Sequence, residues 1–452
     1  MQNMTATRAA EAALALSRGI RRAVAHPLVN SAGLLTGAQY FAAALGFVKS
    51  LMEARLLGPV GYGTAAVIIA YPTLLCSFAA VKSGSVTTRY IASFRAAGRN
   101  DELLSICKLG YIFDVSLAFI SFALVAASAW WIADGIYDKP EVFALMIAYA
   151  ASYPLSSLSG TSVAILSSWG RFRALAALQI IDKLTMLILV AGALWAGFGV
   201  AGMIIANAFA LALDGVVMMI AATSVLRRDG AGLWWRAAIK DVAPLRAELA
   251  AFFRWNYFLV TLNGLVGQAP LLMLGRLRGP EDAGFYRLAM SLMSVGAYPE
   301  NCMSKIAYPA LSARFGREHI RSLRARLRVW TWKGGIPIAI LMALTVPFLP
   351  ALVPVIFGPS YVPMVFGAQM MMLSVAIGAL FFWLSAFYYA SGKIAFWSKA
   401  YGVYSAVFLG LSWWCIREWG FIGVAGLIAI GKPAFAVTMA IIVLAASNKG
   451  QS

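Results

Sequence analysis

Residues 55–59 read Arg55-Leu56-Leu57-Gly58-Pro59, and 221 positions later the chain reads Arg276-Leu277-Arg278-Gly279-Pro280. Other stretches return in the same order. Gly61-Tyr62-Gly63 comes back as Gly284-Phe285-Tyr286, Ile136-Tyr137-Asp138 as Ile356-Phe357-Gly358, Gly170-Arg171 as Gly392-Lys393, and Gly199-Val200-Ala201-Gly202 as Gly423-Val424-Ala425-Gly426. An ordered series at one spacing marks an internal repeat, in which each half is one structural unit. Gly and Pro between apolar runs punctuate the chain. Gly58, Pro59, Gly61, Gly279, Pro280 and Gly284 are therefore expected in tight turns and close helix contacts rather than at a ligand.

The runs between these turns are apolar. The 452 residues are 61% hydrophobic and 12% charged, with a mean hydropathy of +0.78, whereas soluble domains are about 25% charged. Stretches of the ~20 residues needed to cross a bilayer recur at 30–54, 62–84, 109–132, 142–166, 174–196, 200–222, 255–275, 286–308, 333–354, 363–389, 400–416 and 420–446. Backbone groups in hydrocarbon must bond within their own segment. The fold class expected is all-α, a polytopic membrane protein of about twelve transmembrane helices. Six spans per half is an even number, so the repeats run parallel about an axis along the membrane normal, as two six-helix bundles around a central cavity. The divisions expected are an N-terminal lobe at 1–225, a basic linker at 226–254 and a C-terminal lobe at 255–452. The linker carries Trp234, Trp235, Phe252 and Phe253 and is expected along the membrane interface.

Charge gives orientation. Of the 37 Lys and Arg, 27 fall on the side of the two termini, seven on the other side, and Lys183, Lys305 and Lys432 within spans. Basic residues mark the cytoplasmic side, so both termini are expected there, in a bacterial inner membrane. The net charge of +19 is then a topology signal and a contact for anionic lipid; no nucleic-acid partner is expected. Residues 1–27 carry Arg8, Arg18, Arg21 and Arg22 without a separate apolar core, so no cleavable signal peptide is expected. Cys76, Cys107, Cys302 and Cys415 are scattered, and His26 and His319 are the only histidines. No disulfide framework, metal site or cofactor is expected.

Two stretches imitate nucleotide-binding motifs. Gly426 to Lys432 fits a phosphate-binding loop until its last place, where Pro433 replaces the Ser or Thr that would hold Mg²⁺. Gly197 to Gly202 spells GxGxxG in a short turn without a βαβ unit around it. Neither is expected to bind nucleotide. No outer loop is large enough for a glycosyltransferase or polymerase domain, and Asp134 and Asp138 read as a solvated edge. No covalent chemistry is expected.

Several of these stretches resemble the polysaccharide and O-antigen flippases of the multidrug/oligosaccharidyl-lipid/polysaccharide exporter superfamily. They are Ala54 to Pro59 with Gly61-Tyr62-Gly63, Arg89-Tyr90-Ile91-Ala92, Gly279 to Tyr286, Tyr308-Pro309-Ala310-Leu311-Ser312, and Phe357-Gly358-Pro359-Ser360-Tyr361. The resemblance covers nearly the whole chain. It implies alternating access and transfer of an undecaprenyl-diphosphate-linked oligosaccharide to the outer leaflet. It also implies membrane lipids and polysaccharide polymerase machinery as partners. A cation-coupled multidrug exporter of the same superfamily is the alternative, and a membrane glycosyltransferase or polymerase the second.

A charge at mid-bilayer costs at least about 2.5–3.5 kcal/mol, so each charge in a span needs a reason. Lys49, Glu53, Lys183, Arg287, Lys305 and Lys432 are the substrate-pathway candidates, because Lys and Arg suit the diphosphate that the resemblance implies. Asp182, Asp214 and Glu300 are the candidates for ion coupling. Lys49 and Glu53 are four apart and can pair on one face. Asp182 and Lys183 are adjacent and are expected to point different ways, one to the cavity and one to a neighbouring helix. At least two of the five cations are expected to line one cavity between the halves; the plain alternative for each is packing or snorkelling to the interface. Tyr40, Trp255, Tyr257, Trp383 and Tyr388 could stack on sugars, with ordinary packing the commoner fate of such rings.

Overall fold

The computed structural model describes residues 27–79, 83–137, 140–238, 246–312, 315 and 320–445. The termini, Asp138 and the middle of the basic linker at 239–245 lie outside them, as does the side chain of Trp255. The first half runs α1 (Pro27–Ala79), α2 (Ser83–Ala96), α3 (Asn100–Tyr137), α4 (Pro140–Ala150), α5 (Tyr153–Ser156), α6 (Leu158–Ser168), α7 (Phe172–Trp195) and α8 (Gly199–Arg228). The second runs α9 (Arg246–Leu277), α10 (Pro280–Gly296), α11 (Tyr298–Ser312), α12 (Ile320–Trp330), α13 (Ile336–Thr345), α14 (Leu349–Phe357), α15 (Val365–Ala379), α16 (Leu384–Ala390) and α17 (Ile394–Ala445). The chain is an all-α polytopic membrane protein. Its outward surface is apolar, with Trp195 at 76% and Ile430 at 72% exposure, as hydrocarbon contact requires.

Nine stretches among the described residues are long and apolar enough to cross a membrane. Two of them cross twice: α1 bends at Gly58 and α17 at Gly420. The eighth crossing is divided between α10 and α11, with Pro299 in the first turn of the second piece. Twelve crossings result among the described residues.

The fourth and tenth spans, expected as continuous helices over 142–166 and 363–389, are interrupted. The fourth is divided among α4, α5 and α6, where Pro154 has no N–H to give to the ladder. The tenth loosens into i→i−3 bonds, from Leu380 N–H to the Ile377 carbonyl and from Phe381 N–H to that of Gly378. These two spans are equivalents under the repeat. Gly426 to Lys432 lies inside α17, and Gly197 closes a turn with φ 82°, so neither nucleotide-like stretch forms a phosphate loop.

The loops gather on two faces. On one, Arg278 donates to the carbonyls of Ile416, Arg417 and Glu418 at 3.1, 2.6 and 2.7 Å. There the Asp282 carboxylate also accepts from Phe421 N–H at 2.9 Å. On the opposite, basic face, Arg95 meets Asp229 at 3.6 Å and covers the Trp169 ring at 4.6 Å. Lys108 and Ser105 hold the carbonyls of Ala237 and Ala238, both at 2.7 Å, so the described start of the linker is fastened to α3. If the basic face is cytoplasmic, Ala97→Cys is expected to react with a membrane-impermeant maleimide only from inside and Glu418→Cys only from outside. The reverse pattern would invert the topology.

Each half has its own core, around Tyr111 and Ile165 in the first and around Trp383 and Leu327 in the second. Another core joins Tyr62, Ala66 and Val67 of the first half to Phe285, Phe357 and Tyr361 of the second. It sits beneath the first loop face. There Gly58 (φ 66°, ψ 176°) and Gly279 (φ 99°, ψ 177°) share one backbone conformation that side chains rarely adopt.

The two turns also pack against each other reciprocally. A methyl group on Gly63 would lie 1.7 Å from the Pro280 carbonyl oxygen, and one on Gly284 would lie 2.2 Å from that of Pro59. Residue i of one half meets j of the other and j meets i, which is the mark of a two-fold axis. The contact corrects the sequence register. Gly284 is the counterpart of Gly63, not of Gly61, and the offset of 221 holds from Arg55 to Gly63. Gly61 instead packs on Leu57 within its own turn.

Candidate functional site

A cleft of ≈610 Å³ opens between the halves. α1 gives it Gln39, Gly46 and Phe47; α7 gives Gln179, Asp182 and Lys183; α10 and α11 give Ser291, Ser294, Tyr298 and Lys305. Two of the five expected cations, Lys183 and Lys305, thus line one cavity with walls from both halves.

Lys305 donates to Gln39 Oε1 at 2.7 Å, and the Tyr40 hydroxyl donates to the Tyr298 carbonyl at 3.0 Å. These contacts cross from one half to the other at the rim. Lys183 sits 2.7 Å from Asp182 Oδ2, their side chains 38% and 13% exposed. Adjacent residues diverge by about 100° around a helix, and the expectation that these two would face different ways is wrong. The long lysine stem folds back along the helix, and both groups line the cleft. Asp214 of α8 lies in the field of Asp182 and Lys183 but does not line the cleft, so the first-half wall holds one carboxylate and one ammonium. Gln179 Oε1 is buried in the wall without a hydrogen-bond partner among the described residues.

Arg287 is exposed, and it precedes Ser291, Ser294 and Tyr298 on one helical stripe. It stands beside the Tyr62 hydroxyl, towards the turn seam. Among the described residues no carboxylate forms an ion pair with it.

Lys49 and Glu53 are placed differently. Lys49 donates to Glu53 Oε1 at 2.9 Å and to Asn207 Oδ1 at 2.8 Å. Asn207 in turn is 3.5 Å from Glu53 Oε1. Glu53 is 2% exposed. The pairing expected four residues apart is present, and it forms a closed knot between α1 and α8 rather than a cleft wall. Removing one partner of a buried ion pair costs about 3–5 kcal/mol, whereas replacing both by apolar groups is often neutral. Glu53→Ala is therefore expected to lower thermal stability sharply, and Lys49→Met with Glu53→Met to restore most of it. Scanning fluorimetry of the purified protein checks the pair.

Glu300 and Lys432 line a second cavity, of ≈480 Å³, inside the second half. Trp383 and Tyr388 are core side chains, their N–H and O–H given to Thr331 Oγ1 at 2.9 Å and the Met439 carbonyl at 3.2 Å. Tyr257 gives its hydroxyl to the Phe78 carbonyl. None of these three rings lines either cavity. The rings that do line the second cavity include Trp397, Tyr401 and Tyr404. Their i, i+4, i+7 spacing is readable in sequence, but it is also that of any buried helix face.

A family model described as "Polysaccharide biosynthesis protein" matches residues 28–314. Among solved structures the chain is similar to the lipid II flippase MurJ in an inward closed conformation, with a TM-score of 0.71, 14% identity, and coverage of 91% of this chain and 87% of that one. It is similar to a multidrug resistance MATE family transporter of the MOP superfamily in an inward-facing conformation, with a TM-score of 0.69, 15% identity and coverage of 92% and 96%. A MATE family transporter in an outward-facing conformation aligns with a TM-score of 0.64, 13% identity and coverage of 93% and 97%. No curated protein sequence matches the chain. At these identities the likeness establishes the fold, which this chain shares with those proteins.

Proposed function

The chain belongs to the polysaccharide biosynthesis protein family, and from that premise we propose that it carries a lipid-linked oligosaccharide, on an undecaprenyl diphosphate, from the cytoplasmic to the outer leaflet of a bacterial inner membrane. The observation that carries this reading is the inter-half cleft with Lys183 and Lys305 in its walls and Arg287 on the same stripe towards the seam. A diphosphate crossing the membrane needs cations at mid-depth, and ammonium and guanidinium groups bind phosphate through charge-assisted bonds. The lobes 1–225 and 255–452 are the moving bodies, with 226–254 as the cytoplasmic strap. Lys305–Gln39 and Tyr40–Tyr298 at the rim are contacts that separate as the halves rock. Asp182 and Asp214 beside Lys183, and Glu300 facing Lys432, are the groups proposed to couple transport to a proton or Na⁺. Polysaccharide polymerase machinery is the proposed recipient of the carried lipid.

One observation favours a second reading. Asp182 and Asp214 put two carboxylates near the cleft, which suits a cation-coupled drug exporter. Loss of the chain distinguishes the two. Under the flippase reading, depleted cells accumulate lipid-linked oligosaccharide in the inner leaflet, measured by its inaccessibility to an external glycosidase in spheroplasts, with drug susceptibility unchanged. Normal outer-leaflet exposure with raised drug sensitivity would replace the first reading by the second.

A further inference from the structure

The cavity inside the second half is built differently from the cleft between the halves. Its ≈480 Å³ lies within the ~300–1,000 Å³ of small-molecule sites. One wall is made of aromatic rings. Trp397, Tyr401 and Tyr404 share one face of α17, and Phe435 from the far arm of the same bent helix packs against them, with centroids 5.3, 5.9 and 5.0 Å away. Polar groups stand opposite: Glu300, Asn301, Ser304 and Ser385 line it together with Lys432, among apolar side chains such as Met293, Val375 and Leu384.

Lys432 and Glu300 lie in each other's field, yet no ion pair closes between them, and Lys432 makes no hydrogen bond to any described residue. Two opposite charges kept in a membrane helix bundle and held apart leave a gap with a donor on one side and an acceptor on the other. A sugar ring fits that gap chemically. Its hydroxyls can accept from the ammonium and donate to the carboxylate, while its C–H face lies against aromatic faces, which carry negative charge. A phosphate would meet Glu300, and an apolar ligand would leave both charges unsolvated.

We propose that this cavity, walled by α10, α11, α15, α16 and α17, is a sugar-binding site. Ser294 and Tyr298 line both this cavity and the inter-half cleft, so a ligand whose diphosphate meets Lys183 and Lys305 reaches the second cavity with its glycan. The proposal rests on the flippase reading for the source of that sugar, the head of the carried lipid.

The test uses ligands without phosphate or lipid: the methyl glycosides of glucose, galactose, mannose and N-acetylglucosamine, with the full chain in nanodiscs. Saturation-transfer NMR is expected to show transfer to the ring protons of at least one. Trp397→Leu and Lys432→Met are each expected to weaken that binding about tenfold, the loss of one good contact, and Lys183→Gln to leave it unchanged. Lys432→Met keeps the length of an unpaired side chain, so a monodisperse protein of normal melting temperature is expected from it. Transfer from none of the four glycosides overturns the proposal, as does transfer that persists in both folded cavity variants. If glycosides bind while export survives loss of Lys183 and Lys305, the sugar site stands and the diphosphate reading falls. If export needs those lysines and no glycoside binds, the sugar site alone falls.

Discussion

Under the proposed flippase function, cells carrying Lys183→Gln and Lys305→Gln together are expected to lose export of the lipid-linked oligosaccharide by about a hundredfold, with the protein still inserted and folded. The expected loss is electrostatic. Both ammonium groups line the cleft, and their present partners are replaceable: Gln39 is neutral, and Asp182 is a flexible neighbour on the same helix. Lys183 is 38% exposed, so water screens it, and each lysine is assigned only about 1.4 kcal/mol, or tenfold, at its contact with phosphate. Under the flippase reading both meet one diphosphate, so the hundredfold figure is their simple sum, from which a shared ligand can shift the double variant by about 0.5–3 kcal/mol. Lys305→Arg keeps charge but changes geometry, and should retain partial export. Lys183→Gln also leaves Asp182 without its ammonium, so a drop in stability without loss of export would assign Lys183 to the fold. Inner-leaflet accumulation of the lipid-linked glycan, normalised to protein level, measures each variant. Normal export in the double variant would remove the cationic-cleft reading and leave the fold untouched.

Much of the architecture was legible in the sequence because the bilayer reduces the choices to one. Apolar runs of sufficient length must be helices, and the Arg-Leu-x-Gly-Pro pair announced the repeat before any contact was known. What could not be read is where a side chain points. Lys49, Lys183 and Lys305 look alike on a hydropathy scale, but Asn207, 158 residues from Lys49, decides that Lys49 belongs to a packed knot. Asp182 and Lys183 were separated by helix geometry and reunited by four flexible methylenes. The breaks in the fourth and tenth spans were hidden because hydropathy averages over a window longer than the interruption. Ring faces at Trp397, Tyr401 and Tyr404 carry no mark that distinguishes a cavity wall from a core; only the empty volume beside them does.

The seam between the repeats carries the other large effect. Gly63→Ala and Gly284→Ala are each expected to open the turn face. A methyl on Gly63 meets the Pro280 carbonyl oxygen at 1.7 Å and Gly284 N at 2.7 Å, and one on Gly284 meets the Pro59 carbonyl oxygen at 2.2 Å. Every one of these obstacles is backbone, so no rotamer change relieves the clash. Overpacking that neighbours can absorb costs about 1–3 kcal/mol, and here the cheaper response is for the halves to part along the axis. Ala54 lies just inside the seam, fully buried, with its carbonyl accepting the Tyr361 hydroxyl at 3.0 Å. In a background without the four native cysteines, Ala54→Cys should be protected from an impermeant maleimide, and Gly63→Ala or Gly284→Ala should raise its labelling from the turn face at least about tenfold. Gly410→Ala, where a methyl meets nothing within 4 Å, is the control and should change neither labelling nor melting temperature. Reciprocity adds a sharper requirement. Once one methyl has parted the halves, the second enters space already opened, so the double variant should cost clearly less than the sum of the singles, by about 0.5–3 kcal/mol of coupling. Strict additivity, with Ala54→Cys still protected, would mean that each glycine serves only its own helix and that the two turns do not bear on a common axis.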